Sequence, residues 1–139
     1  MLKSAIKPML ITKAQYQPIQ DVVLGWDRGP EAAHAAEMIF GLAKGSGWQV
    51  HIVSAGHTTS ALAQSCSYLA EQMKLEGVKA DSHVVSGDVP RVIFDVVNHF
   101  APDLLVIGGR RRSVGQRLLS GGVWEQIVEQ VHVPVLLYR

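Results

Sequence analysis

From Val22 to the end of the chain, short apolar runs alternate with stretches of helical spacing. Val22-Val23-Leu24, Gln49–Ala55, Ala80–Val85, Asp103–Ile107 and Val133–Tyr138 are each too short for a helix. Asp103 is followed by an unbroken Leu104-Leu105-Val106-Ile107, the mark of a strand buried on both faces. Between the runs the period changes to 3.6. Ala32, Ala35, Ala36, Ile39, Phe40 and Ala43 share one side of a helix predicted over Glu31–Lys44, with Pro30 suited to its first turn and Gly45 to its end. Leu62, Cys66, Leu69 and Met73 do the same for Ser60–Glu76, which Gly77 stops. Val92, Ile93, Val96, Val97 and Phe100 form the inward face of Val89–Phe100, and a last helix is predicted over residues 121–131.

Strict alternation of strand and helix predicts an α/β fold, a doubly wound parallel sheet with helices on both faces. Ligands of such sheets bind beyond the carboxyl ends of the strands, where strand order reverses. Four loops lie there: Trp26–Gly29, Ala55–Thr58, Ser86–Asp88 and Gly108–Gly122. The first 18 residues stand apart as an appendage to a domain over 19–139. Within them Pro8-Met9-Leu10-Ile11-Thr12-Lys13 repeats the pattern of Pro134-Val135-Leu136-Leu137-Tyr138-Arg139. Self-similarity of this kind marks a repeat, here the last strand of a preceding copy; a chance match of six residues is the alternative.

Composition narrows the function classes. With 139 residues, 47% hydrophobic and 18% charged, the chain suits one globular domain. A net charge of +1 gives no long-range pull on nucleic acid or on a membrane surface, and no apolar run approaches the roughly 18 residues of a membrane span. The single cysteine, Cys66, has no partner for an internal disulfide, so the cytoplasm is the expected location. Six histidines show no HxH, HxxxH or Cys/His spacing, so no protein metal site is expected. Ser113 and Ser120 lack the frame of a nucleophile elbow, and catalysis is not expected.

The stretch from Asp103 to Val123 holds the strongest candidate chemistry. Gly108 and Gly109 end a strand, Arg110-Arg111-Arg112 follow, and Gly121-Gly122-Val123 open a helical segment. Glycines admit a ligand close to the backbone, a helix start offers free N–H groups, and arginines donate in pairs to phosphate. A tight turn with a solvated basic loop explains the same residues, and residue types alone do not separate the two.

These features together resemble the universal stress protein family, over about Ile19 to Arg139. The residues that carry the resemblance are a short first strand ending at Asp27, Ser86-Gly87 before the helix with Ile93, Ala101-Pro102-Asp103-Leu104-Leu105-Val106-Ile107-Gly108, and Val133-Pro134-Val135-Leu136-Leu137. The resemblance implies an open, Rossmann-like five-stranded parallel sheet of order 3-2-1-4-5, as in adenine nucleotide hydrolase-like folds. It also implies an adenine nucleotide, ATP or AMP with Mg²⁺, as candidate ligand. ATP-binding members carry Gly, two residues, Gly, nine residues, then Gly and Ser or Thr. Gly108 and Gly121 match, whereas Arg111 and Gly122 depart. The missing hydroxyl at 122 is worth roughly 1.5–3 kcal/mol to a charged ligand.

By the same resemblance the nucleotide set is Asp27, Ala55, Gly108, Gly109, Arg110, Arg111, Gly121, Gly122 and Val123. Asp27 would contact adenine and ribose, or else cap an Asx-type turn. Ala55 would offer its backbone, or simply end a strand. Trp26 would stack on a base or fill the site, filling being preferred. The fifth strand, Val133–Tyr138, reads as an apolar sheet edge and hence as the homodimer interface of the family. Pro8–Lys13 is a further partner for it, in the same chain or from a neighbour. The reading from a different class is a partner-docking module with a degenerate pocket and no nucleotide.

Overall fold

The computed structural model describes residues 7–13, 17–57, 60–108 and 123–138, without the side chains of 123–125. Among the described residues, six strands and four helices follow one another as β1 (Pro8–Ile11), β2 (Asp21–Gly25), α1 (Pro30–Ala43), β3 (Gln49–Ala55), α2 (Ala61–Leu75), β4 (Lys79–Val85), α3 (Val89–Phe100), β5 (Leu104–Gly108), α4 (Val123–Gln130) and β6 (Val135–Tyr138). They form one sheet of order β1-β6-β5-β2-β3-β4. Without β1 this is the expected 3-2-1-4-5 order, all parallel.

The central strands are buried on both faces, and the period of two sorts their side chains. Val22, Leu24, Val50, Ile52, Leu104 and Val106 pack with Ala35, Ile39, Cys66 and Met73 beneath α1 and α2. Val23, Val53, Leu105, Ile107, Val135 and Leu137 face the other way, against Val92, Ile93, Val96 and Ile127 of α3 and α4. Continuous apolar runs therefore served as two cores at once. At their amino ends β2 and β5 are held together by Asp103, whose Oδ2 accepts the N–H groups of Gln20 at 2.9 Å and Asp21 at 3.0 Å.

One expectation is corrected. The last parallel strand, β6, is not an edge: β1 lies antiparallel along it, with Pro8 opposite Tyr138 and Ile11 opposite Val135. Five strands become six. The physical reason is the apolar character of Val135–Tyr138, all four buried, whose outer backbone groups find partners in the chain's own N-terminal segment. Lys13 closes the arrangement by donating to the Val128 carbonyl at 2.8 Å. The sheet edge on this side is β1, with Met9 and Leu10 exposed.

Cys66 is fully buried, its Sγ 3.5 Å from the Ile52 carbonyl oxygen, and burial raises its thiol pKa. A buried, protonated thiol is a poor nucleophile. Ellman's reagent should therefore react with native protein orders of magnitude more slowly than with protein in denaturant; equal rates would show that α2 opens readily.

Candidate functional site

Strand order reverses at β2, which has β3 on one side and β5 on the other. In sheets of this kind such a reversal opens a crevice beyond the carboxyl ends of the strands; Asp27 follows β2, Ala55 ends β3 and Gly108 ends β5. Gly109, Arg110, Arg111, Gly121 and Gly122 lie outside the described residues. Val123 begins α4.

Asp27 is exposed, and its Oδ1 accepts the Gly29 N–H at 2.7 Å. This is an Asx turn, and it leads through Arg28, in the left-handed region at φ 67°, into Pro30 and α1. The carboxylate thus has a structural task at the start of the helix. Ala55 is the last residue of β3, paired with Val85 and half-buried against the α3 side of the sheet. The following residue, Gly56, continues the pairing through its N–H to the Val85 carbonyl at 2.9 Å.

Trp26 is turned away from the crevice. Its Nε1 donates to Ser65 Oγ at 2.9 Å, and its ring packs against the core with Phe40 and Leu69. There it lines a groove of about 440 Å³ between α1 and α2, with Ala33, Ala36 and Met73. Its backbone is fixed as well: the N–H donates to Val53 O at 2.8 Å, and its carbonyl accepts from Ser54 Oγ at 2.7 Å. The indole therefore fills space beside α2 and not a base-stacking position.

Gly108 has a packing reason to be glycine. A Cβ there would stand 2.7 Å from the Ala32 nitrogen and 2.9 Å from both Glu31 C and Glu31 Cβ. The start of α1 thus presses directly on the end of β5. The same contact places Glu31, which the sequence singled out only as the start of a helix. It is 6% exposed, and no described residue hydrogen-bonds its buried Oε1. Its signal in the sequence was weak: an acid next to Pro30 at a helix start is usually solvated.

The sequence model of the universal stress protein family matches residues 18–139. A universal stress protein of Synechocystis sp. is 25% identical over 141 residues, which takes in 100% of this chain and 49% of that protein. The chain thus spans about half the length of this curated relative. A solved universal stress protein from Archaeoglobus fulgidus superposes with a TM-score of 0.77 at 21% identity, over 94% of this chain and 48% of that one. Another universal stress protein, solved in complex with cAMP, has a TM-score of 0.71 at 21% identity over 87% of this chain and 97% of its own.

Proposed function

The chain belongs to the universal stress protein family, and from that premise we propose that it is a non-catalytic stress-response domain that binds an adenine nucleotide beyond the carboxyl ends of β2, β3 and β5. The observation that carries this reading is the reversal of strand order at β2, which opens a crevice where such sheets take nucleotides. A related structure holds cAMP, an adenine nucleotide, which supports the ligand class. Asp27 and Ala55 suit the base and ribose end, with a carboxylate acceptor and a strand-end backbone. Glycines and arginines of 108–122 would meet the phosphates, and any Mg²⁺ would travel with them.

Glu31 refines the choice of nucleotide. A carboxyl group buried beside Gly108, when ionised, opposes each added phosphate charge in a region of low dielectric. AMP and cAMP are therefore expected to bind more tightly than ATP when Mg²⁺ is absent. Calorimetric titration with the three nucleotides, with and without Mg²⁺, tests this. Asp27→Ala should weaken all three about tenfold, the loss of one hydrogen bond to a hydroxyl or ring nitrogen. Glu31→Gln should favour ATP over AMP several-fold relative to the parent chain. No binding at millimolar nucleotide would sink the proposal.

That negative outcome would select the second reading, a docking module with a degenerate pocket. The Asx turn at Asp27 favours it, because it engages a carboxylate oxygen that a nucleotide would need. Cytoplasmic location belongs to the same proposal; the structure adds that no helix among the described residues is long and apolar enough to cross a membrane. Pro8–Ile11 we read as the last strand of a preceding repeat, standing where a second copy's strand would pair. Dimerisation through Val133–Tyr138 then requires β1 to leave that edge.

A further inference from the structure

At the other end of the sheet, three metal-binding side chains converge that no motif brings together. His51 comes from β3, and Asp81 and His83 from β4; one ligand atom from each lies within 4.8 Å of the other two. The strand register accounts for it. His51 pairs with Asp81, and His83 follows Asp81 by two residues on the same face. Asp81 Oδ1 is 2.9 Å from His51 Nδ1 and 2.7 Å from His83 Nε2. From these residues we propose a binding site for one divalent transition-metal ion of the zinc class.

The groups around the three donors favour a metal over a plain hydrogen-bond cluster. His51 is 8% exposed, with Phe100 stacked on its ring at 4.2 Å between centroids. Its other nitrogen, Nε2, stands 3.4 Å from Asp21 Oδ1. Gln49 Nε2 donates to Asp81 Oδ2 at 3.2 Å, which fixes the carboxylate and leaves Oδ1 for the metal. Metal-bound histidines characteristically pass their second N–H to a carboxylate, and ligating carboxylates are themselves hydrogen-bonded. Both devices are present. Two imidazoles and one carboxylate are a donor set suited to zinc, with a fourth position left for water.

The dimensions fit with adjustment of the side chains. Tetrahedral donors about 2.0–2.1 Å from zinc lie roughly 3.3 Å apart, so the 2.7 and 2.9 Å contacts to Asp81 must widen by about half an ångström, and the two histidine nitrogens, within 4.8 Å of each other, draw together by up to about 1.5 Å. Asp81 and His83 can move that far, being only partly buried on an outermost strand, and their exposure gives the ion its entry path. The metal would tie β4 to β3. It would do so at a distance from the crevice, which lies past Ala55 and Val85 at the far end of the same strands.

Titration of the metal-free chain with Zn²⁺, and with Co²⁺ followed by visible absorption, decides the matter. The expected result is one Zn²⁺ per chain, a Co²⁺ spectrum of four-coordinate type, and a raised Tm with zinc present. Asp81→Asn and His83→Gln should each weaken zinc at least tenfold, and Asp21→Asn, which touches only the second nitrogen of His51, by about tenfold. His34→Gln, exposed on α1 across the sheet from the cluster, should leave affinity unchanged. Circular dichroism and metal-free Tm confirm that each variant is folded; the buried His51 is left intact for that reason. Absence of stoichiometric zinc binding, or binding that the Asp81 and His83 variants leave intact, would overturn the site. Because neither readout involves nucleotide, the outcome stands apart from the fate of the crevice.

Discussion

Deletion of residues 1–13 is expected to make the chain self-associate through the edge of β6. β1 covers the outer edge of β6 over four residue pairs. Without it, Val135–Tyr138 would present a row of open N–H and C=O groups beside apolar side chains, the arrangement that recruits another strand. The loss to each chain is several ladder hydrogen bonds at about 0.5–1.5 kcal/mol each, the half-buried Ile11, and the Lys13 contact to Val128. Together this comes to roughly 2–5 kcal/mol, a large share of a stability of about 5–15 kcal/mol. Tm should fall by about 10 °C at low protein concentration and recover as concentration rises and β6 finds a second copy. Light scattering reads the mass directly. A truncated chain that stays monomeric with unchanged Tm would show that β1 contributes little to the sheet.

How far the sequence could lead depended on what each residue's neighbours were. Strands β2 to β6 were legible because two-sided burial leaves continuous apolar runs, and the helices because their apolar residues keep a period of 3.6. Even the reach of Pro8–Lys13 toward the last strand was visible as self-similarity. That it lies along β6 of the same chain and not of a neighbour was not, because intramolecular and intermolecular pairing use the same residues. The site was less legible. Asp27 matched a family position, yet nothing in its letter distinguishes a ligand contact from an Asx turn. Trp26 is directed by Ser65, 39 residues away. The His51, Asp81 and His83 cluster escaped a search for spacing within one segment because its donors belong to two strands in register. Only Asp81-Ser82-His83, two donors on one face of a strand, gave a local hint.

Gly108→Ala is the second large effect expected, and it should appear without any nucleotide. The first glycine of a phosphate-binding pattern invites a ligand explanation, in which alanine would spare the fold and harm only affinity. The structure predicts otherwise. Gly108 has no left-handed backbone to protect, so the cost of alanine is steric alone, and its Cβ meets backbone atoms of Glu31 and Ala32 at 2.9 and 2.7 Å. Backbone atoms at a helix start cannot yield as a flexible side chain would; α1 must move as a unit away from the end of β5. Overpacking of this kind costs about 1–3 kcal/mol, and more where the backbone itself is the obstacle. Tm should fall by roughly 10 °C. Gly41→Ala, in the exposed part of the same helix with nothing within 4 Å of the new methyl, is the control, and should raise stability by about 0.5–1 kcal/mol. If Gly108→Ala instead melts with the parent chain, α1 does not press on β5 as described. The glycine would then be kept for the crevice, and its effect on AMP affinity would become a direct measure of ligand contact.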